Sequence, residues 1–128
     1  MIMDLNQVMS ELDELFTQDR IREIPDFLMT NIKKAQEEKA NDILLTLYNE
    51  CIGYFRETGE YDKAVKYCKE AESLIDEMEL QDTIPYATTL LNAANGYRAA
   101  GLLKESMERY ERVEPIYKAL LAPNDMYF

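Results

Sequence analysis

Apolar residues recur along this chain at steps of three and four, the interval that collects side chains on one face of an α-helix, and they do so in six successive runs. Leu5, Val8, Met9, Leu12 and Phe16 form the first, with Asp4 and Gln7 supplying a cap-like start. The second is Ile21, Ile24, Phe27, Leu28, Ile32 and Ala35, with Pro25 either in its first turn or kinking it. Asn41-Asp42 can cap a third helix with core positions Leu44, Leu47, Tyr48, Cys51, Ile52 and Phe55, and Gly59 suits the left-handed stop after it. The fourth places Tyr61, Ala64, Val65, Cys68, Ala71, Ile75 and Met78 on one face and leaves Lys63, Lys66, Lys69 and Glu70 mostly outside it. Asp82-Thr83 offers capping oxygens before Pro85, and Ala87, Leu90, Ala94 and Tyr97 line a fifth helix ending at Gly101. Leu103, Met107, Tyr110, Val113, Tyr117 and Leu120 make the sixth. The pattern predicts an all-α chain of six helices, and four Gly and four Pro are too few for a meander of short strands.

The third and fifth helices repeat one another. Gly59 matches Gly101, Phe55 matches Tyr97 and Arg56 matches Arg98, each at a separation of 42 residues. The small residues Ala64 and Ser106 each fall five beyond the glycine, where paired helices must approach closely. The first pair reads as a more diverged copy. As motifs, Tyr48-x2-Cys51-Ile52-x2-Phe55 with Ala64-x3-Cys68 is followed by Leu90-x2-Ala93-Ala94-x2-Tyr97 with Ser106-x3-Tyr110. Over essentially its whole length the chain thus resembles the tetratricopeptide repeat proteins, of the long-helix variety seen in kinesin light chains and many bacterial regulators. Ile52 stands where the family pattern has glycine, and the proline that ends each repeat is missing. The resemblance implies a right-handed solenoid of three antiparallel hairpins in a single domain, at about 4–39, 42–79 and 83–121. It also implies a concave groove, lined by the first helix of each hairpin, that takes extended peptides or partner helices.

Asn49 and Arg56 lie seven residues apart and so project from one side of the third helix, about 100° round from the core residue Tyr48. On the fifth, Asn92, Asn95 and Arg98 follow at three-residue steps beside the apolar stripe. Asn offers a donor and an acceptor to a main chain and Arg forks onto a carboxylate, which makes these five the candidate peptide-binding residues. The competing reading is that they are solvated or bond between repeats, since Leu91 rather than Asn92 lies 42 residues from Asn49. Tyr48, Phe55, Tyr61, Tyr97, Tyr110 and Tyr117 sit on the stripes and are expected in the core, whereas Tyr54 and Tyr86 are left open to a ligand.

Charge narrows the partners. Fourteen Lys and Arg against twenty-five Asp and Glu give −11, which repels polyphosphate and anionic lipid, so neither nucleic acid nor membrane is expected. The acids read as solvated outer helix faces, with a basic partner permitted. No basic amino-terminal region and no apolar run of membrane-spanning length occurs, which places the chain in the cytoplasm. Cys51 and Cys68 match no metal or disulfide framework, and a hairpin about Gly59 brings them to similar heights as reduced core thiols.

The chain has no histidine, which removes the commonest general base and the usual triads, and its glycines at 53, 59, 96 and 101 make no phosphate or dinucleotide loop. Neither catalysis, cofactor nor metal is expected. The sequence instead predicts a scaffold that binds protein or peptide in its groove; the alternative is an oligomerisation or regulatory segment of a larger signalling protein. The repeat period places another helix near residue 126, so 122–128 reads as the start of a further repeat. Met107, Tyr110, Tyr117, Leu120, Tyr127 and Phe128 then predict a homodimer through the carboxyl-terminal hairpin.

Overall fold

The computed structural model of the chain describes residues 2–120. Among them are six α-helices and no strand: α1 Leu5–Thr17, α2 Ile24–Glu38 after a 3-10 turn at Ile21–Glu23, α3 Asn41–Glu57, α4 Tyr61–Glu77, α5 Ile84–Ala99 and α6 Leu103–Leu120. The expected start of a further repeat at 122–128, with Tyr127 and Phe128, lies outside the described residues.

Five helix ends share one construction. An N–H reaches back five residues to a carbonyl, from Arg20 to Leu15, Ala40 to Ala35, Glu60 to Phe55, Leu80 to Ile75 and Leu102 to Tyr97, at 2.8–3.2 Å. The residue before each donor, Asp19, Lys39, Gly59, Glu79 or Gly101, has φ between 54° and 81°. This is the Schellman stop, which satisfies carbonyls that the end of a helix leaves without partners. Only Gly59 and Gly101 announce it by residue type. Asp19, Lys39 and Glu79 hold the same left-handed conformation against a Cβ penalty of roughly 1 kcal/mol or more each. Every accepting residue is buried, so the stop also aims the next helix back along an apolar face.

The amino-terminal ends differ in detail from expectation. Asp4 caps α1 by accepting from the Asn6 N–H at 2.9 Å, while Gln7 turns to Glu11 instead of joining the cap. Pro25 occupies the first turn of α2, where it needs no N–H. Asn41 and Asp42 are helical residues in the first turn of α3, and the preceding Ala40 carbonyl accepts the first helical N–H, from Leu44. Thr83 caps α5 by accepting from the Tyr86 N–H.

Two compact units divide the chain, the first running to Leu47 and the second beginning at Tyr48. In the first, α1 packs on α2. Val8, Leu12 and Leu15 fill the α1 face and Ile24, Leu28, Ile32 and Ala35 that of α2. The Met3 N–H donates to Glu38 at 2.9 Å, holding the entry to α1 against the end of α2. Leu15 takes the place expected of Phe16, which is 47% exposed. The steps Val8, Leu12, Leu15 keep to one face, and Phe16 is displaced from Leu15 by a further 100° or so.

In the second unit α5 packs on both α4 and α6. Tyr67 and Leu74 join Ala64, Cys68, Ala71 and Ile75 in the core, whereas Tyr61, expected inside, is 43% exposed at the first position of α4. Tyr67 stacks on Phe55 with ring centroids 5.8 Å apart and also meets Tyr48 at 5.9 Å, which joins α3 to α4. Ala64 and Ser106, the two small residues of the repeat, are both buried, and the Ser106 hydroxyl donates to the Ala94 carbonyl at 2.9 Å. The face of α6 is narrower than its apolar pattern suggested: Ser106, Val113 and Ile116 are buried, but Leu103 and Met107 are 63% and 57% exposed. Arg109 lies in that buried row instead. It forks onto Glu72 of α4 at 2.8 and 3.2 Å and covers the Tyr97 ring, whose hydroxyl donates to the same carboxylate at 2.9 Å. One ion pair thus ties α4, α5 and α6 together.

Candidate functional site

Arg56 and Arg98 occupy the last turns of α3 and α5, where the partial negative charge of a helix end favours a cation. The second unit brings them together with Asn95 and Ala99 around a cleft of about 330 Å³. Arg98 is exposed and has no ion-pair partner among the described residues. Among the described residues Arg56 reaches only its neighbour Glu57, at 3.9 Å. The Tyr110 hydroxyl donates to the side-chain oxygen of Asn95, which fixes that amide beside the cleft. Two guanidinium groups and one amide therefore gather at the same space, side chains of the kind that pair with a carboxylate.

Asn49 and Asn92 serve differently. Asn92 donates to the Asn49 oxygen at 2.8 Å, and Asn49 donates to the Thr89 hydroxyl at 3.1 Å. Thr89 is buried, so this chain of amides and hydroxyl ties α3 to α5 from within. Of the five residues singled out by sequence, Arg56, Asn95 and Arg98 line the cleft and the other two lock the helices that carry it. Thr89 and Tyr110 were not foreseen in these roles. The signal for Thr89 was its spacing, three residues before Asn92 and on the same side of α5.

Two aromatics left open to a ligand by the sequence, Tyr86 and Tyr54, are engaged in packing. Tyr86, expected to be open to a ligand, is buried, and Arg112 donates to its hydroxyl at 2.5 Å. Tyr54 is half-buried with its ring 5.3 Å from that of Phe55.

Cys51 and Cys68 are fully buried and unpaired by any disulfide. Burial pushes both thiols up to about 12. At neutral pH neither forms the nucleophilic thiolate. Thiol reagents are expected to label them only at the rate of unfolding, and prompt labelling of the folded chain at pH 8 would show the core to be open. The same shift sets an alkaline limit. An unfolded thiol ionises near 9 while the folded one holds its proton to about 12, so the unfolded state binds fewer protons in that interval and stability falls as pH rises through it. Burial raises Tyr67 and Tyr97 in the same direction. A denaturant midpoint that declines steadily above pH 9 is the expected measurement.

No helix among the described residues is long and apolar enough to cross a membrane. Compared with models of known protein families, with curated proteins and with solved structures, the chain matches none.

Proposed function

We propose that this chain is a peptide-binding repeat protein of the tetratricopeptide type, a right-handed array of three helical hairpins acting in the cytoplasm, and that it holds a partner without chemical change. The groove lies along the first helix of each hairpin, and Arg56, Asn95 and Arg98 receive a carboxylate of an extended peptide there. One observation carries this reading: two arginines from equivalent helix ends flank one cleft, and among the described residues no carboxylate pairs with Arg98. In a chain of net charge −11, two arginines beside one cleft are a local concentration of positive charge, and that is what an acidic ligand would pair with. Support for the repeat comes from the helix stops, which recur every 20 residues from Asp19 to Glu79 and then at Gly101. A peptide array with acidic, neutral and amidated sequences tests the reading directly. Enrichment of carboxylate-bearing peptides is expected, and equal retention of their amides would count against it.

Self-association is a second reading, favoured by the exposure of Leu103 and Met107, one turn apart on α6. Burying such side chains contributes about 25 cal/mol per Å² before association costs. Light scattering over a concentration series is expected to show a dimer that Leu103→Glu with Met107→Glu converts to monomer. A wild-type protein that stays monomeric at high concentration and moderate salt would end this reading.

A further inference from the structure

A larger pocket, of about 670 Å³, opens elsewhere in the second unit, between the start of α5 and the carboxyl-terminal half of α6. Tyr86, Pro115, Ile116, Ala119 and Leu120 give it an apolar wall. Its rim is acidic: Asp82 and Glu111 both line it, and neither has an ion-pair partner among the described residues. The adjoining stretch 76–82 adds Asp76, Glu77 and Glu79 with no Lys or Arg. Arg112, the one cation among the described residues of the lining, is drawn onto Tyr86, donating to its hydroxyl and lying 5.9 Å from its ring centre. Pro115 sits inside α6 and has no N–H, so the Glu111 carbonyl, four residues earlier, loses its helical donor at the same rim. Carboxylates and an underused carbonyl are acceptors. What they lack is a donor, best supplied by a cation.

We propose that this pocket is a second docking site, which takes apolar side chains of a basic amphipathic helix from a partner protein. From Glu111 to Leu120 the wall extends about 13.5 Å along α6, the length of two and a half turns of a second helix. Such a helix lays its apolar stripe on Tyr86, Ile116 and Leu120 and sets lysines against Asp82 and Glu111. The charge of −11 steers it there from a distance, and the apolar wall selects it from other polycations. The site shares no residue with the Arg56 and Arg98 cleft and prefers the opposite sign of ligand.

The test is a fluorescence anisotropy titration of the whole chain with an amidated leucine–lysine peptide patterned as an amphipathic helix. Its controls are the same composition scrambled to remove the apolar face, and a leucine–glutamate counterpart. Saturable binding at least tenfold tighter than either control is expected. Ala119→Arg, at an exposed position, fills the pocket with bulk and positive charge and is expected to weaken binding roughly tenfold. Asp82→Asn with Glu111→Gln is expected to weaken it about fivefold and flatten its salt dependence. Alanine at Arg56 and Arg98 leaves it unchanged, so failure here and failure of the carboxylate cleft are told apart. Absence of saturable binding, equal binding of the scrambled or acidic peptide, or indifference to Ala119→Arg in a chain of unchanged helical content would overturn the proposal.

Discussion

Alanine at both Arg56 and Arg98 is expected to lower the affinity for a carboxylate-bearing peptide by roughly two orders of magnitude while leaving helical content and melting temperature near those of the native chain. A hydrogen bond to a charged group contributes about 1.5–3 kcal/mol, and 1.4 kcal/mol is about tenfold in affinity, so two such contacts supply the effect. Among the described residues neither arginine makes a close ion pair, so removing them leaves no buried carboxylate there without its partner. Lysine at both positions separates charge from shape: it keeps the cation but loses the planar fork, and an affinity between the two extremes is expected. Titration of an array-selected peptide at low and moderate salt makes the measurement. An unchanged affinity in the double alanine variant, or a bound peptide that touches only α4 and α6, would remove the cleft from the mechanism.

The cleft was partly legible in the sequence because its two cations belong to the repeat. The 42-residue offset that pairs Gly59 with Gly101 pairs Arg56 with Arg98, and residues at equivalent helix ends project alike. Asn49 and Asn92 were less legible, since an amide beside an apolar stripe has the same spacing whether it meets a ligand or the next helix. Its role depends on what lies opposite, here Thr89, which no periodicity within one helix reveals. The helix count followed from the apolar period, but the faces of α1, α4 and α6 each shifted by one residue or more. Phe16, Tyr61, Leu103 and Met107 are large and apolar, yet packing selected Leu15, Tyr67, Ser106 and Arg109 in their helices. Hydrophobicity cannot rank an arginine as half-buried when an ion pair with Glu72 is what draws it in. The stops at Asp19, Lys39 and Glu79 were hidden for a related reason. Their left-handed backbone is imposed by the turn and its buried neighbours, not by a glycine.

Gly96 gives the sharpest test of the packing between helices in the second unit. In an open helix, alanine for glycine stabilises by up to about 1 kcal/mol. At Gly96 a Cβ would stand 2.7 Å from the Cys68 sulfur and 3.1 Å from the Ile52 Cγ2, so α4 and α3 both crowd the same point of α5. Neither neighbour moves away easily. Both are fully buried, Ile52 is β-branched and confined in χ1, and the Cys68 thiol already contacts the Ala93 carbonyl at 3.6 Å. Overpacking of this kind costs about 1–3 kcal/mol, which exceeds the helix gain, and Gly96→Ala is expected to lower stability by roughly 1–2 kcal/mol. Gly53 is the control, because nothing lies within 4 Å of its would-be Cβ, and alanine there should stabilise. Cys68→Ala removes the sulfur that Gly96→Ala strikes. The double variant should therefore be more stable than the two single effects added together, by a coupling of about 1 kcal/mol. Denaturant unfolding of the four chains gives the cycle directly. Strict additivity, or a Gly96→Ala chain as stable as the native one, would mean that α4 and α5 do not meet at this point.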